Sequence, residues 1–430
     1  MLKKIFRVFQ FLLAPFKLAL IVLPFITLMV YTNYRIDCSG LFQGDLTIRT
    51  IVELMQADKA ISGFSQMDQR AVNDLYIKLM PEDQIPDTVA VGSSRVMQIT
   101  NQVAGGSFYN AGVTGSDYKD VMNSFYLLEK YEKLPKRLLI GVDPWVFRSD
   151  AIDRRTDLEL FEEFLSVSMG KPSDYVKPEP SDAYKFWDAA VQKYTDGKAS
   201  LTTLNITDET LPALFDPAYF QGNLLHYQAQ QASDSAITED GQVIPYREVA
   251  EQELQTIDEE VKMPDGTVWY ASSFRNAGLD EVLIAAMGQA GTFLYMVGYP
   301  QLETAQCALF EEFIDHVQSR GVEVVFFLSP YHPFVYQHVY HNDVADHAGF
   351  FEVEPYLRAY AAQKGIPVVG SYDPEALGLT EEDFFDGLHV RSSGIEKYFG
   401  GFDPSGSILP GTEVDGTAPL ATARSPLAGD

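Results

Sequence analysis

The chain has 430 residues, with 32 Lys and Arg against 60 Asp and Glu, a formal net charge of −28. That balance excludes nucleic acid as a partner, because phosphate binding needs clustered basic side chains. Apolar residues at 46% and aromatics at 13% supply a packed core, while two cysteines exclude a disulfide scaffold or a zinc ribbon.

The first element is apolar. From Phe9 to Tyr31 the chain reads FQFLLAPFKLALIVLPFITLMVY. As a helix this extends about 35 Å, enough for a bilayer core of ~30 Å. Lys3, Lys4, Arg7 and Lys17 precede it or lie early in it, and no acid occurs before Asp37. The positive flank predicts a single-pass anchor with the N-terminus in the cytoplasm and the remainder periplasmic or extracellular. Pro15, Lys17 and Pro24 put the start of the span near Leu18. A cleaved signal peptide is the alternative, but no small-x-small site precedes Cys38. A lipoprotein cysteine is disfavoured by Asp37. Cys38 and Cys307 can pair outside the membrane, or Cys307, in AQCALFEEF, is a plain buried thiol.

Residues 1–36 are thus read as cytoplasmic N-terminus and anchor. In the rest, five short apolar runs read as buried parallel strands: TVAVG (88–92), SFYNAG (107–112), RLLIGVD (137–143), VEVVFFL (322–328) and IPVVG (366–370). Helical segments separate them, at Asp117 to Tyr131, Thr304 to Arg320 and Pro355 to Lys364. The alternation predicts an α/β protein, a doubly wound (flavodoxin-like) parallel sheet of about five strands in three α/β/α layers. Its first part is 37–147 and its second 301–402. Between them, 148–300 is polar, with turns at 239–241 and 264–266 and amphipathic stretches at Leu158–Leu165 and Ala183–Tyr194. It reads as an insertion over the sheet, a lid or substrate-recognition subdomain, or else as a separate domain. The tripeptide Asn205-Ile206-Thr207 fits a glycosylation site, but one match in 430 residues is near chance. The Pro-, Gly- and Thr-rich 403–430 reads as a disordered tail.

In open parallel sheets, ligands bind beyond the carboxyl ends of the strands. Gly92-Ser93-Ser94-Arg95 follows the first run. A serine there is exposed on a sharp turn, or is simply a helix cap. Asn110-Ala111-Gly112-Val113-Thr114-Gly115 follows the second. Its glycines either turn N–H groups inward as an oxyanion hole or make a tight turn. Asp386-Gly387-Leu388-His389 comes late, and D-x-x-H spacing lets a carboxylate fix the imidazole tautomer. Ser329-Pro330-Tyr331-His332-Pro333 ends the fourth strand. Tyr331 and His332 either border the mouth of the site and meet substrate or form a rigid aromatic plug. His338, His341, Asp343 and His347 have weak metal spacing and read as a surface helix; no metal and no cofactor is expected.

Taken together, these blocks resemble the SGNH (GDSL-type) hydrolase superfamily. The chain is similar to its membrane-anchored extracytoplasmic branch, which includes the D-alanyl transfer protein DltD and the alginate O-acetylation proteins. The resemblance covers roughly 85–145 and 305–400. It implies Ser94 as nucleophile, His389 as general base and Asp386 as the orienting acid. It also implies Gly115 as an oxyanion donor, with Asn110 opening that block. The implied activity is that of a serine esterase or O-acyltransferase on a cell-surface glycan or other envelope polymer, with a membrane-bound O-acyltransferase as partner.

One block departs from the pattern. Where these enzymes carry G-x-N, this chain has Gly141-Val142-Asp143. An ionised carboxylate cannot donate to an oxyanion. Asp143 is therefore held aside by Arg95, or protonated in a dry site, or the site is impaired. The first predicts that Asp143→Asn leaves activity intact or raised. The last makes the protein a non-catalytic assembly or binding factor of an envelope polysaccharide modification system.

Overall fold

A computed structural model describes residues 22–37, 41–42, 44–63, 68–151, 153, 155–172, 179–230, 235–237, 243–291, 298–341 and 346–399. Cys38, Asp343, the first part of the expected anchor and the 403–430 tail lie outside these.

The chain divides into two compact units. One contains the described parts of Met1–Ile51, Gly63–Asp68 and Lys177–Glu248. The other contains those of Val52–Ser62, Gln69–Val176 and Val249–Asp430. The expected insertion at 148–300 is thus split: 148–176 and 249–300 belong with the sheet, and 177–248 does not.

All five expected strands form in the second unit. They are β1 (Thr88–Val91), β2 (Phe108–Asn110), β3 (Arg137–Gly141), β4 (Glu323–Leu328) and β5 (Val368–Gly370). Every pairing is parallel, in the order β5-β4-β3-β1-β2. Read from the other edge this is 2-1-3-4-5, the flavodoxin-like order, with its switch point between β1 and β3. The α/β class and the parallel sheet of five strands read from the sequence are therefore the observed ones.

Successive side chains on a strand face opposite ways. Phe326 packs on Phe310 of α3 (Thr304–Ser319) and on Tyr360 of α5 (Ala348–Lys364). Its neighbour Phe327 packs on Tyr398 and Phe399 of α6 (Ser392–Phe399). Helices therefore cover both faces, and a strand with no polar face reads as a continuous apolar run.

Local chemistry sets the helix ends. The helix α1 (Tyr118–Lys130) starts at Asp117, whose Oδ1 accepts from the Lys119 and Asp120 N–H groups at 2.8 and 3.0 Å, while Asp120 returns a carboxylate to the Asp117 N–H. The helix α5 overrides its own sequence. Pro355 marked a helix start, yet it lies inside α5, which begins at Ala348. Burial of Phe350, Val353 and Leu357 offsets an interior-proline cost of about 3 kcal/mol.

In the first unit, residues 22–36 are helical. Val22, Leu23, Phe25, Leu28 and Tyr31 on this helix are 40% to 64% exposed. Thr32 and Asn33 are then buried, and Asn33 Nδ2 donates to the carbonyls of Ala213 and Leu214 at 3.0 and 3.1 Å. Among the described residues no helix is long and apolar enough to cross a membrane.

Lys262 lies on the strand Val261–Lys262, 3% exposed, with Nζ donating to the Gly266 carbonyl at 2.7 Å. Burial pulls its ammonium from 10.5 down to about 8. Between those values the unfolded chain binds more protons, so stability rises with pH. Relative to Lys262→Met, the native chain should gain roughly 2 kcal/mol of unfolding free energy from about pH 7.5 to about pH 9.5, read as urea midpoints. Identical pH dependence in the two proteins would refute it.

Candidate active site

Gly92 ends β1 at φ +144°, where an added Cβ would meet the Gly141 carbonyl oxygen at 2.9 Å. The glycine permits a sharp turn at the switch point, and the next residues leave the sheet beside the end of β3. Ser94 thus lies beyond β1 and Asp143 beyond β3.

The chain brings His389 to Ser94 across 295 positions. Ser94 Oγ lies 2.8 Å from His389 Nε2. On its other side His389 Nδ1 lies 3.1 and 3.0 Å from the two carboxylate oxygens of Asp386. A carboxylate has no proton to give, so Nδ1 carries the hydrogen and Nε2 is left to accept from the serine. Burial would raise the Asp386 carboxyl. The adjacent His389 and donors from the Leu388 N–H and Gln289 outweigh it and hold the group well below the usual carboxylate range. Asp386 is therefore ionised at neutral pH. The histidine side chain is 16% exposed and the aspartate 6%, and Ser94 is half-buried.

Behind the serine is a buried ion pair. Arg95 Nη1 donates to Asp143 Oδ1 at 2.8 Å, with both side chains at most 6% exposed. The guanidinium also donates to the carbonyls of Ser329, Pro330 and Leu388 and lies 3.8 Å over the Tyr331 ring. Ser93 adds a hydrogen bond to Asp143. Burial pushes the Asp143 carboxyl upward, and Arg95 pulls it back. Asp143 thus faces Arg95 and Ser93, the first of the three arrangements open from sequence. The Arg95 bond to Leu388 couples the turn at Ser94 to the His389 loop.

No protein-family model matches the chain, and no curated protein matches it.

Three of the expected substrate-side residues are structural. Asn110 is fully buried. Its Nδ2 donates to the carbonyls of Val96 and Ile99, and its Oδ1 accepts from the Gly112 N–H. Both side-chain donors are spent on the turn that follows Ser94, so none remains for a ligand. Tyr331 and His332 are 0% exposed and do not border the mouth. Their backbone N–H groups donate to Tyr372 and Gly387 carbonyls, which props the histidine loop from behind. His332 Nδ1 accepts from the Phe334 N–H, and the ring packs edge-on to Phe384. The prolines flanking the pair make a rigid plug.

Gly115 has φ +68° and sits against the Asp153 and Arg155 side chains. Among the described residues neither its N–H nor that of Ser94 meets an acceptor. A cleft of about 720 Å³ is lined by Pro333, Tyr336, Gln337, Asp373, Glu375 and Glu381. It includes no member of the triad. Among the described residues no cluster of His, Cys, Asp and Glu is built to hold a metal.

Two residues of the site were not singled out in the sequence. Tyr270 packs its ring 5.9 Å from the His389 ring and is partly exposed beside it. Gln289 bonds to Asp386. Both come from 249–300. A tyrosine in VWYASSF and a lone amide in LIAAMGQAG carry no spacing signature, so only the fold marks them.

Proposed function

We propose that the protein is a membrane-anchored, extracytoplasmic serine acyl hydrolase or O-acyltransferase of the SGNH type. The observation that carries this reading is the 2.8 Å contact from Ser94 Oγ to His389 Nε2, backed by Asp386.

In the proposed cycle His389 takes the Ser94 proton as Oγ attacks an acyl carbonyl. The N–H groups of Ser94 and Gly115 stabilise the oxyanion. The tetrahedral intermediate collapses to a serine ester as His389 gives its proton to the leaving oxygen. Water or a sugar hydroxyl then attacks the ester, with His389 again as base, and the serine is regenerated. No metal or organic cofactor enters. Asp143, paired with Arg95, is kept from the oxyanion as a bare charge.

Placement outside the cytoplasm rests on the sequence from Phe9 to Tyr31. An exposed apolar face on the helix at 22–36 supports it, since such side chains are at home in lipid. An envelope glycan or polymer as acceptor, and a membrane-bound O-acyltransferase as donor, follow from the SGNH resemblance.

Fluorophosphonate labelling of the full-length chain tests the reading. A folded protein should be labelled at Ser94, and acyl transfer to an oligosaccharide should exceed release into water if it is a transferase. Absence of label on folded protein would leave the non-catalytic assembly factor.

A further inference from the structure

We propose that Gln289 is a positioning residue for the triad, the group that fixes the Asp386 carboxylate on the histidine. The inference rests on the acyl-transfer reading for its role, but not for its geometry.

Gln289 stands on α2 (Leu279–Gly291), an otherwise apolar helix with acids only in its first turn. Its Nε2 donates to Asp386 Oδ2 at 3.0 Å, and its Oε1 accepts from the Gly387 N–H at 2.5 Å. The carboxylate requires a donor and the peptide N–H requires an acceptor. A primary amide presents both on one planar group. Of the side chains hydrogen-bonded to Asp386 among the described residues, Gln289 is the one besides His389. The other Asp386 oxygen accepts from the Leu388 and His389 N–H groups.

Gly387 makes the approach possible. A Cβ there would lie 2.6 Å from Gln289 Oε1 and 2.7 Å from a Val335 methyl. The glycine of D-G-x-H therefore has a packing reason: it lets α2 press its amide against the loop. The amide closes the side of the carboxylate that the loop's own N–H groups do not reach. Without it the carboxylate can rotate about its last bond, and the imidazole loses its single orientation toward Ser94. Misplacement by about 1 Å costs up to about 10²-fold in rate.

The charged and titratable groups around the pair are Arg95 with Asp143, Glu381 with His332, and Glu260 with Tyr270. All are common to the proteins compared in the test. Full-length chain is made with ring-¹⁵N histidine, as wild type, Gln289→Met and Gln289→Glu. Thermal melts report that each is folded. In wild type above its titration, His389 should show one tautomer, with the proton on Nδ1. In Gln289→Met the ring shifts should move toward a mixture of tautomers, and fluorophosphonate labelling should slow by about tenfold or more. In Gln289→Glu, a second negative charge beside Asp386 should raise the His389 midpoint by at least about half a pH unit. Wild-type tautomer and midpoint in both folded variants would overturn the inference. A wild type that takes no label would sink the acyl-transfer reading, and the ring shifts would still decide the place of Gln289.

Discussion

On the proposed acyl-transfer cycle, Ser94→Ala should abolish formation of the serine ester, and His389→Ala should do the same. Each should lower turnover by at least about 10⁴-fold, and the double variant should lose no more than either single one. The reason is that the 2.8 Å contact makes them one device. The hydroxyl is a weak nucleophile until Nε2 takes its proton, and the imidazole has nothing to do without the hydroxyl. Ser94 is half-buried, so Ser94→Ala should melt close to wild type, whereas His389→Ala takes the imidazole from the buried Asp386 carboxylate and should melt lower. Additive losses in the double variant, or label retained by folded Ser94→Ala, would show that the nucleophile lies elsewhere.

Arg95→Met should destabilise the fold by about 3–5 kcal/mol, because it leaves Asp143 as a buried carboxylate without its cation, held by the Ser93 hydrogen bond. It also strips donors from the carbonyls of Ser329, Pro330 and Leu388. The double variant Arg95→Met with Asp143→Leu should regain most of that loss, since no charge is then stranded. Urea unfolding of the four proteins closes the cycle. A double variant as unstable as the sum of the singles would mean that the pair does not interact. The same contact adds a stability effect to the Asp143→Asn variant. From the sequence, Asp143→Asn should leave activity intact or raised. With Asp143 as the carboxylate paired to a buried guanidinium, the amide gives up the charge-assisted bond. It should cost stability on the order of 2 kcal/mol, whatever it does to the rate.

The triad was legible because its chemistry is local. G-S-S at a strand exit and D-x-x-H in a turn each fit within four residues, and a turn fixes its own side-chain directions. Asn110 was misjudged for a related reason. It is the last residue of β2, and an amide at a strand end serves either the backbone or a ligand. Only the positions of the Val96 and Ile99 carbonyls decide which. Tyr331 and His332 went the same way, since a strand end points toward the site whether or not another loop covers it.

What the sequence determined by itself is the five-stranded parallel sheet, the helix from Asp117 and the residues of the Gly92–Arg95 and Asp386–His389 turns. Each follows from periodicity or from hydrogen bonds spanning a few residues. Tertiary structure alone decided the meeting of Ser94 with His389, the Arg95–Asp143 pair, the helix through Pro355, and the contributions of Tyr270 and Gln289. These contacts join segments far apart in the chain. Their energy comes from burying groups that no local pattern can assign to each other.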